Sequence, residues 1–577
     1  MTKKMSDFFK SHEIEVEIGG HLSGGDLNEI VFVYDSTNDR GEPTPIELGQ
    51  ILTIPDRSGI GKFLARVTNI RYGQDKEFQT EVARNMNLQQ KSSLEGEHSD
   101  PQNVFMSDQR DQLFLEAVCE ILGFFDQNNK FFSPKRLPSY FSSVRKVTIQ
   151  DVSTLSSRFG DMPFGKLRSG SDILDVNVGL FEELVPYHVG IFAQTGGGKT
   201  NTILNIIAKS IESEGRVGMI AFDPHGEYIK ELAKHPMAAE NLSIYSLYSK
   251  GSKVNDIRIS YKDLTTSILI NLKDQFGWTQ AQEEFLREVS FENDDWFSEI
   301  LSLPLDQFEA RRKEEEEGKG NDNFMESMAQ LAETGEVSNS PASTLQSRYP
   351  DFKVETIRSI RRKLRQIVTA NHIVPNESAS SVPEILAELK KGKVVLMDIS
   401  GLEGLHELLI SSLFAKKLFD TWKYYYANKY EKFLELPVVS VVMEEAQRVL
   451  NTVSSGNIFA QICAEGRKFR TGLIAITQRP QAVHEDILSQ INTYIILGLA
   501  DENGFKILSQ KTKKPIQKLR FEIQALMPGQ AIITNPLSPF AVPFQVNFYP
   551  DYIEELRKKY TTRRSHAPKP TQFEGFM

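Results

Sequence analysis

Residues 188–200 read His-Val-Gly-Ile-Phe-Ala-Gln-Thr-Gly-Gly-Gly-Lys-Thr and decide the fold. The first half, His188–Ala193, is apolar and has the length of a buried strand. The second half is a glycine-rich turn, and it leads into Thr200–Glu214, whose isoleucines and leucine recur at helical spacing. A strand, a glycine-rich turn and a helix in that order predict a phosphate-binding loop.

The loop follows the pattern G-x-x-x-x-G-K-[ST], except that Ala193 replaces the first glycine. Its glycines let backbone N–H groups turn towards phosphate oxygens, and the helix that follows directs its positive dipole end at them. We predict that Lys199 binds the β- and γ-phosphates of ATP and that the Thr200 hydroxyl binds Mg²⁺. The predicted nucleotide-binding residues are Gln194, Thr195, Gly196, Gly197, Gly198, Lys199 and Thr200. The alternative is a glycine-rich turn with an incidental lysine.

Further apolar runs predict a parallel sheet. Arg216–Phe222 completes a strand–helix–strand unit with the loop, which favours the right-handed βαβ arrangement. The other buried-strand candidates are Lys393–Ile399, Val438–Met443, Gly472–Thr477 and Thr493–Leu499. Strands that alternate with helices predict an α/β fold, with a RecA-like ATPase core.

Two carboxylates, Glu444 and Glu445, follow the strand Val438–Met443. In a P-loop ATPase, the first carboxylate after such a strand holds the Mg²⁺ shell through water, and the second polarises the attacking water. We assign these roles to Glu444 and Glu445 respectively. Glu444 is one methylene longer than the usual Asp, so its metal geometry is the less certain of the two. The alternative is a strand end with two solvated acids.

Two further strand ends carry polar side chains. Asp223 and Glu227 lie in the segment Asp-Pro-His-Gly-Glu-Tyr, one βα unit after the loop, and we expect both near the nucleotide. Gln478 follows Gly472–Thr477 and is a candidate sensor of the γ-phosphate, while Arg467 is a candidate arginine finger for a neighbouring subunit's nucleotide. Loop-closing polar groups and a surface salt bridge are the respective alternatives.

A basic stripe lies within Ile357–Val368, with Arg358, Arg361, Arg362 and Arg365 on one predicted helix face. A solvated helix face and a contact with a nucleic-acid backbone both fit this spacing.

Composition limits the class of protein. The chain has 577 residues, 40% hydrophobic and 25% charged, with a net charge of −10. These values exclude fibrous and wholly disordered proteins and a globally basic nucleic-acid coat. Two cysteines cannot build a disulfide framework and fit a reducing cytoplasm. No apolar run approaches the roughly 18 residues of a membrane span.

The chain outside the core reads as smaller units. Residues 12–90 are rich in short extended runs and predict a small β-barrel or sandwich, whereas 110–126 predict a helix with Leu113, Phe114, Val118, Ile121 and Leu122 on one face. Residues 91–108, 334–346 and the glutamate-rich run Arg311–Gly320 predict loops or solvated ends. The predicted boundaries are 1–155 for the barrel and connector, 156–274 and 391–550 for the divided core, 275–390 for a helical insertion, and 551–577 for a basic tail.

Together these residues resemble the HerA-like ATPases of the HerA–FtsK superfamily. The resemblance rests on Gln194–Thr200, on Asp-Pro-His-Gly-Glu-Tyr at 223–228, on Glu-Glu-Ala-Gln at 444–447, on Glu-Gly-Arg-Lys at 465–468 and on Thr-Gln-Arg-Pro at 477–480. The family usually has D-E-A-H where this chain has Glu-Glu-Ala-Gln.

The resemblance implies a homohexameric ring around a central channel, ATP-driven translocation on double-stranded DNA, and a partner nuclease. Similar bacterial proteins pair with other effectors in anti-phage defence, such as sirtuin-like NAD-hydrolysing domains. An alternative is a ring-shaped scaffold that activates such an effector and uses ATP turnover as regulation. A single-chain P-loop switch or kinase is a third and weaker alternative, since no substrate-binding motif accompanies the loop.

Overall fold

The structure is a computed structural model with two compact units. It describes residues 17–34, 46–56, 59, 61–73, 115–248, 254–292, 295–302, 349, 351–368, 370–402, 404–453, 456–499 and 501–566. The first unit comprises Met1–Lys209, Glu445–Gln447 and Ile474–Met577, and the second comprises Ser210–Glu444 and Arg448–Leu473. The predicted polar stretches 91–108, Arg311–Gly320 and 334–346 lie outside the described residues.

The N-terminal strands, which belong to the first unit, form a closed barrel. They are β1 (Glu17–Gly25), β2 (Ile30–Tyr34), β3 (Ile51–Pro55), β4 (Gly61–Tyr72), β5 (Leu115–Asp126), β6 (Phe131–Phe132) and β7 (Ser143–Lys146). Their order is β2-β1-β7-β3-β4-β5-β6, and β2 also pairs with β5, so six strands close on themselves. Residues of β2 alternate, with Ile30, Phe32 and Tyr34 buried in the barrel core. The predicted small barrel is confirmed.

The helix predicted over 110–126 is wrong in its described part. Residues 115–126 are β5, which pairs with β4 along its length and with β2 on its other edge, and 110–114 lie outside the described residues. Ala117, Cys119 and Ile121 alternate into the barrel core, whereas the apolar run at this point also fits a helical stripe. Hydrogen bonding on both edges decides the outcome, and a sequence pattern does not contain that information.

A second group of strands follows the barrel. These are β8 (Met162–Ser169), β9 (Asp172–Leu180), β10 (Val189–Phe192), β11 (Val217–Asp223), β12 (Leu242–Ser246), β13 (Asn255–Asp256), β14 (Ile259–Ser260), β15 (Ile373–Val374), β16 (Val394–Asp398), β17 (Val438–Met443), β18 (Thr471–Thr477), β19 (Thr493–Ile496), β20 (Gln530–Thr534) and β21 (Val542–Val546). Every strand predicted for the core is present, with bounds that differ by a few residues at most.

In the first unit, β10 lies between two parallel neighbours. It pairs with β18 through Ile474–Thr477 on one side and with β19 on the other. Antiparallel strands then continue in the order β19-β20-β21-β8-β9. The helices of this unit are Ile149–Val152, Glu485–Gln490, Glu502–Lys511, Arg520–Gln524 and Tyr549–His566, with the start of Lys199–Ile211. The predicted basic tail therefore begins inside a helix.

In the second unit, parallel strands have the order β13-β12-β16-β11-β17. The helices of this unit are Tyr228–Leu232, Ala238–Asn241, Thr266–Asn271, Lys273–Phe276, Gln280–Glu292, Trp296–Ser302, Val354–Val368, Val382–Lys390, Leu405–Asn428, Tyr430–Glu435 and Ile458–Glu465. Four of the helices, from Gln280–Glu292 to Val382–Lys390, fall within 275–390, where a helical insertion is predicted. The expected α/β architecture, a RecA-like core preceded by a barrel, is confirmed.

The arginine stripe does not form one solvated face. In the helix Val354–Val368, Arg362 and Arg365 are exposed, whereas Arg361 is buried together with Ile357 and Ile360. The prediction that the four arginines share a face is therefore wrong for Arg361. Arg361 lies one helical turn after Ile357, at the edge of the apolar face of the helix. A long side chain at such a position packs its aliphatic stem against the core.

A buried ion cluster ties the barrel to the rest of the first unit. Glu522, on the helix Arg520–Gln524, forms an ion pair with Arg66 at 2.6 Å between Oε2 and Nη2, and its Oε1 accepts a hydrogen bond from Arg168 Nη2 at 2.5 Å. All three side chains are 5% exposed or less. Gly49 has a φ of +79°, and a Cβ there would meet the Glu522 carboxyl at 2.5 Å. The close approach therefore requires glycine at this position.

Among the described helices, none is both long and apolar enough to cross a membrane.

Candidate active site

The glycine-rich loop lies at the carboxyl end of β10 in the first unit. Its backbone is held by the neighbouring strand ends, since Ala193 N–H donates to Thr477 O at 3.3 Å and Gln194 N–H donates to Gly498 O at 3.1 Å. On the other side, Gly529 N–H donates to Gly197 O at 3.3 Å. The loop is thus fixed in shape by its surroundings.

Glycine is required inside this loop for two different reasons. Gly196 and Gly198 have φ angles of +77° and +99°, which side-chain-bearing residues rarely adopt. A Cβ at Gly197 would lie 2.7 Å from Leu497 O. Ala193, by contrast, is absent from the residues with positive φ and is fully buried, so its methyl group is accommodated without strain. The departure from the strict pattern leaves the loop geometry intact.

The helix Lys199–Ile211 starts at the loop and is anchored along its first turns. Thr202 donates its N–H and its hydroxyl to Gly198 O, each at 2.9 Å. Asn201 donates to Asn547 O at 2.8 Å and accepts Tyr549 N–H at 2.8 Å. These contacts fix the helix N-terminus, whose free N–H groups favour anions. Within the described residues, Lys199 Nζ has no hydrogen bond or ion pair.

Glu445 has a strained backbone. Its φ is +47°, a region that non-glycine residues seldom occupy. Its carboxylate accepts a hydrogen bond from Gln447 Nε2, and Gln447 Oε1 accepts the Thr477 hydroxyl at 2.6 Å. Because Thr477 also supplies the carbonyl that binds Ala193 N–H, a continuous chain of hydrogen bonds joins the Glu445 carboxylate to the loop. Strain of this kind is concentrated at functional sites.

Gln478 is also connected to the loop. It follows β18, and its Oε1 accepts the Thr195 hydroxyl at 2.7 Å. The first unit therefore brings together the predicted nucleotide loop, Glu445 and Gln478 at one edge of its strands. Sequence reasoning gave no role to Gln447 and Thr477, which orient Glu445. The only signal was that each lies in a motif that carries the family resemblance, at 444–447 and 477–480.

In the second unit, the Asp223 carboxylate is hydrogen-bonded to backbone N–H groups. Its carboxylate accepts the N–H groups of the turn that follows β11, at 2.7 Å from Gly226 and 2.9 Å from Tyr228. Burial raises the pKa of Asp223, although these backbone hydrogen bonds act in the opposite direction. Asp223 is buried, with 1% of its surface exposed. The geometry gives Asp223 a turn-shaping role, and a direct catalytic role stays a prediction.

Glu444 is oriented by the same turn. Tyr228, which is buried, donates its hydroxyl to Glu444 Oε1, and His225 Nε2 lies 3.9 Å from Glu444 Oε2. Burial and the Glu444 carboxylate raise the pKa of Tyr228 well above its usual value, so the phenol stays protonated and remains a donor. Tyr228 lies in the motif at 223–228, but sequence analysis gave it no role of its own. Glu227 beside it is exposed.

Arg467 lies on an exposed turn of the second unit. It follows the helix Ile458–Glu465 within the 3₁₀ segment Gly466–Phe469, and its side chain is exposed. Arg470 ends this segment with a φ of +53° and donates Nη1 to the carbonyls of Leu434 and Leu436, each at 2.9 Å. Arg470 thus has a structural role, whereas Arg467 is exposed. In the described part of the chain, no group of three His, Cys, Asp or Glu residues could hold a metal ion.

The fold and the loop define a P-loop protein with a RecA-like core and an N-terminal barrel. The family model described as "Helicase HerA, central domain" matches residues 162–418. This match confirms the resemblance to the HerA-like ATPases that is seen in the sequence.

Curated relatives agree with this assignment. The chain is 24% identical to the DNA double-strand break repair helicase HerA of Saccharolobus solfataricus, over 75% of this chain and 79% of that protein. It is 26% identical to the protein of the same name from Sulfurisphaera tokodaii, over 79% and 84% respectively, and 26% identical to that of Pyrococcus furiosus, over 67% and 68%.

Among solved structures, the bacterial conjugative coupling protein TrwB is similar to this chain with a TM-score of 0.38 at 14% identity, covering 70% of this chain and 93% of TrwB. VirB4 of Thermoanaerobacter pseudethanolicus has a TM-score of 0.41 at 13% identity, covering 68% and 97% respectively.

Proposed function

We propose that this chain is an ATPase that uses ATP and Mg²⁺ to translocate on double-stranded DNA. The observation that carries the proposal is the hydrogen-bond chain from Glu445 through Gln447 and Thr477 to the phosphate-binding loop. It places a carboxylate in a fixed orientation at the edge of the strands where the loop lies. A loop without such a base would bind nucleotide without hydrolysing it efficiently.

The predicted nucleotide-binding residues have different roles, according to the chemistry of each group. Backbone N–H groups of 196–199 and the Lys199 ammonium bind phosphate oxygens, while Gln194 and Thr195 line the entrance of the loop. The Thr200 hydroxyl would hold Mg²⁺, which would neutralise negative charge on the phosphates of bound ATP, and Glu444 keeps its predicted role of holding the Mg²⁺ shell through water. The donor set fits the metal, since Mg²⁺ is typically bound by one or two protein oxygens together with phosphates and water.

Hydrolysis is assigned to Glu445 as the base that polarises water. Gln478 follows β18 and accepts the Thr195 hydroxyl, so a change in the loop is transmitted to β18 through this hydrogen bond. Asp223 and Glu227 shape and flank the turn that orients Glu444. Arg467 is exposed and reaches the nucleotide of a neighbouring subunit as a finger.

The proposed assembly is a cytoplasmic homohexamer with DNA in a central channel and an effector partner. The finger role of Arg467 requires a neighbouring subunit, and the relatives that match most of this chain carry the name of a DNA repair helicase. A net charge of −10 confines any DNA contact to a locally basic inner surface. The effector is a nuclease or a sirtuin-like NAD-hydrolase, with a role in repair or in anti-phage defence.

Displacement of a third strand from a DNA triplex tests the translocase proposal. The full chain moving along duplex DNA should release a labelled triplex-forming strand with ATP and fail to do so with Glu445→Gln. Native mass spectrometry of the same sample should show six copies of the chain. Robust ATP hydrolysis without strand release, in a ring of the same mass, would instead favour the scaffold that activates an effector.

A further inference from the structure

A pocket with a volume of about 610 Å³ lies in the first unit, away from the phosphate-binding loop residues. One part of its wall is aromatic, because Phe124 of β5 and Phe131 and Phe132 of β6 line it. Phe132 is 42% exposed, whereas Phe124 is buried in the barrel core. Pockets that bind small ligands fall in this size range and combine apolar walls with a few polar groups.

The rest of the wall carries positive charge. Four cations line the pocket: Lys135 and Arg136 after β6, Arg158 at the end of the 3₁₀ helix Ser153–Arg158, and Lys514 before β20. Within the described residues, none of them has an ion pair. Burial, with a further contribution from the Arg158 charge, lowers the pKa of Lys514. Cations from three separate segments of the described chain thus converge, and none of them is neutralised by an ion pair.

The one acid at the pocket is already engaged. Asp126 Oδ1 accepts the backbone N–H groups of Asn128 and Lys130, each at 2.9 Å, and so closes the turn between β5 and β6. Among the described residues that line the pocket, four cations stand against this one carboxylate, so the pocket keeps an excess of positive charge. The guanidinium of Arg136 lies 4.8 Å from the centre of the Phe124 ring. This stacking holds the Arg136 cation over the aromatic wall.

We propose that this pocket binds a nucleotide unit of a single-stranded nucleic acid, with its phosphates on the four cations and its base against Phe132. Exposed aromatic rings beside unpaired cations are the combination that binds single strands, because every base has a face for stacking and every linkage carries a negative charge. An acidic peptide would use the cations and leave the aromatic wall without a function. The pocket is made by the barrel and by residues other than the phosphate-binding loop, so its ligand does not depend on ATP hydrolysis.

The first test measures binding of a fluorescein-labelled 12-mer of thymidine to the full chain by anisotropy, with ADP and Mg²⁺ in excess. The double substitution Lys135→Glu with Arg158→Glu should weaken binding on the order of tenfold at 0.1 M salt. It should also reduce the slope of log affinity against log salt by about 1.4, since each lost phosphate contact removes about 0.7. Phe132→Ala should weaken binding by about fivefold or more.

A matched control changes the same charge elsewhere in the first unit. Lys166→Glu with Lys558→Glu alters two lysines outside the pocket whose ion-pair partners are exposed. This control should keep both the affinity and the salt slope. Thermal melting of all variants checks that they are folded. Equal binding by the pocket and control variants would overturn the proposal.

The second test locates the strand. A 12-mer with 5-iododeoxyuridine should photo-crosslink to the peptide that contains Phe131 and Phe132, and crosslinks only at other peptides would contradict the proposal. Competition distinguishes the source of the nucleotide unit. Unlabelled 12-mer that competes better than free dTMP at equal nucleotide concentration indicates a strand, whereas equal competition indicates a free nucleotide. Stronger competition by a poly-glutamate peptide, with no effect of Phe132→Ala, would reject a nucleotide ligand.

Discussion

At the scale of single residues, Glu445 combines strain with a fixed orientation. A φ of +47° costs on the order of 1–3 kcal/mol, and the surrounding structure must compensate for it. The hydrogen bond from Gln447 holds the carboxylate, and Thr477 in turn holds Gln447. An ordinary solvated acid at a strand end would need neither contact.

Replacing Glu445 tests its role as the base. Glu445→Gln keeps the size and the hydrogen-bonding capacity of the side chain but removes its ability to polarise water. We expect ATP binding close to that of the wild type and a kcat lower by about 10²–10⁴. Equilibrium binding of a fluorescent ATP analogue and steady-state hydrolysis measure the two effects. A kcat within twofold of the wild type would show that another group is the base.

The Thr477 hydroxyl tests the orientation of Glu445. Thr477→Val removes the donor to Gln447, and we expect kcat to fall by about tenfold or more with little change in KM, because a misplaced base slows chemistry without weakening binding. Thr477→Ser keeps the hydroxyl and should keep most of the rate. Equal rates for the Val and Ser variants would mean that this hydrogen bond has no role in turnover.

Local patterns were enough to predict the loop residues and Glu445, and their roles in catalysis stay predictions. Gln447 and Thr477 were given no role because they lie 30 positions apart, and their hydrogen bond forms only in the folded chain. Asp223 was predicted to be catalytic from its place at a strand end. The structure adds a second use, since its carboxylate accepts four backbone N–H groups of the following turn, and its catalytic role stays a prediction.

At the scale of elements, the short buried strands of the core were predicted well, because continuous apolar runs of four to seven residues bounded by turn residues are typical of buried strands. Residues 115–126 were assigned wrongly, since a twelve-residue segment that is mostly apolar fits a helix or a long barrel strand equally. Pairing with β2 and β4 decides between them, and neither partner is adjacent in the sequence. Long-range pairing is therefore the information that the sequence pattern lacks.

The cluster of Arg66, Arg168 and Glu522 predicts a large effect on stability. Glu522→Ala would leave two buried guanidinium groups without their partner, which we expect to cost about 3–5 kcal/mol of unfolding free energy. Thermal or urea unfolding of the full chain measures the change. Glu502→Ala, which removes an exposed partner of Arg520, is the control and should cost less than about 1 kcal/mol. Equal effects of the two substitutions would show that the buried cluster does not stabilise the unit.

His372 predicts a pH dependence in the second unit. Burial, together with the nearby His406, lowers the pKa of His372 from 6.5 to about 4. His372 therefore stays neutral in the folded state, whereas in the unfolded state it takes up a proton below pH 6.5. Stability from this group is fully present above pH 6.5 and is lost as the pH falls towards about 4, at no more than about 1.4 kcal/mol per pH unit.

Melting temperatures between pH 7 and pH 4 check this prediction. The wild type should lose stability more steeply than His372→Gln over this range, whereas His484→Gln, which changes a histidine whose side chain is 40% exposed, should behave like the wild type. Parallel curves for the wild type and His372→Gln would contradict a buried neutral histidine at this position.

At the scale of the whole molecule, the phosphate-binding loop, Glu445 and the exposed Arg467 support the proposal that one subunit's nucleotide state is sensed by a neighbouring copy. The central claim is that ATP hydrolysis at Lys199 and Glu445 is coupled to duplex DNA. Most of the chain matches relatives that carry the HerA name, and the loop keeps its geometry despite Ala193. The scaffold alternative shares all of these features except the coupling to DNA.

The measurement that tests this claim most directly is the steady-state rate of ATP hydrolysis by the full chain, with and without duplex DNA, alongside Lys199→Ala. We predict hydrolysis that duplex DNA accelerates and that Lys199→Ala abolishes in both conditions. A wild-type rate that duplex DNA leaves unchanged, or an undiminished rate in Lys199→Ala, would contradict the account.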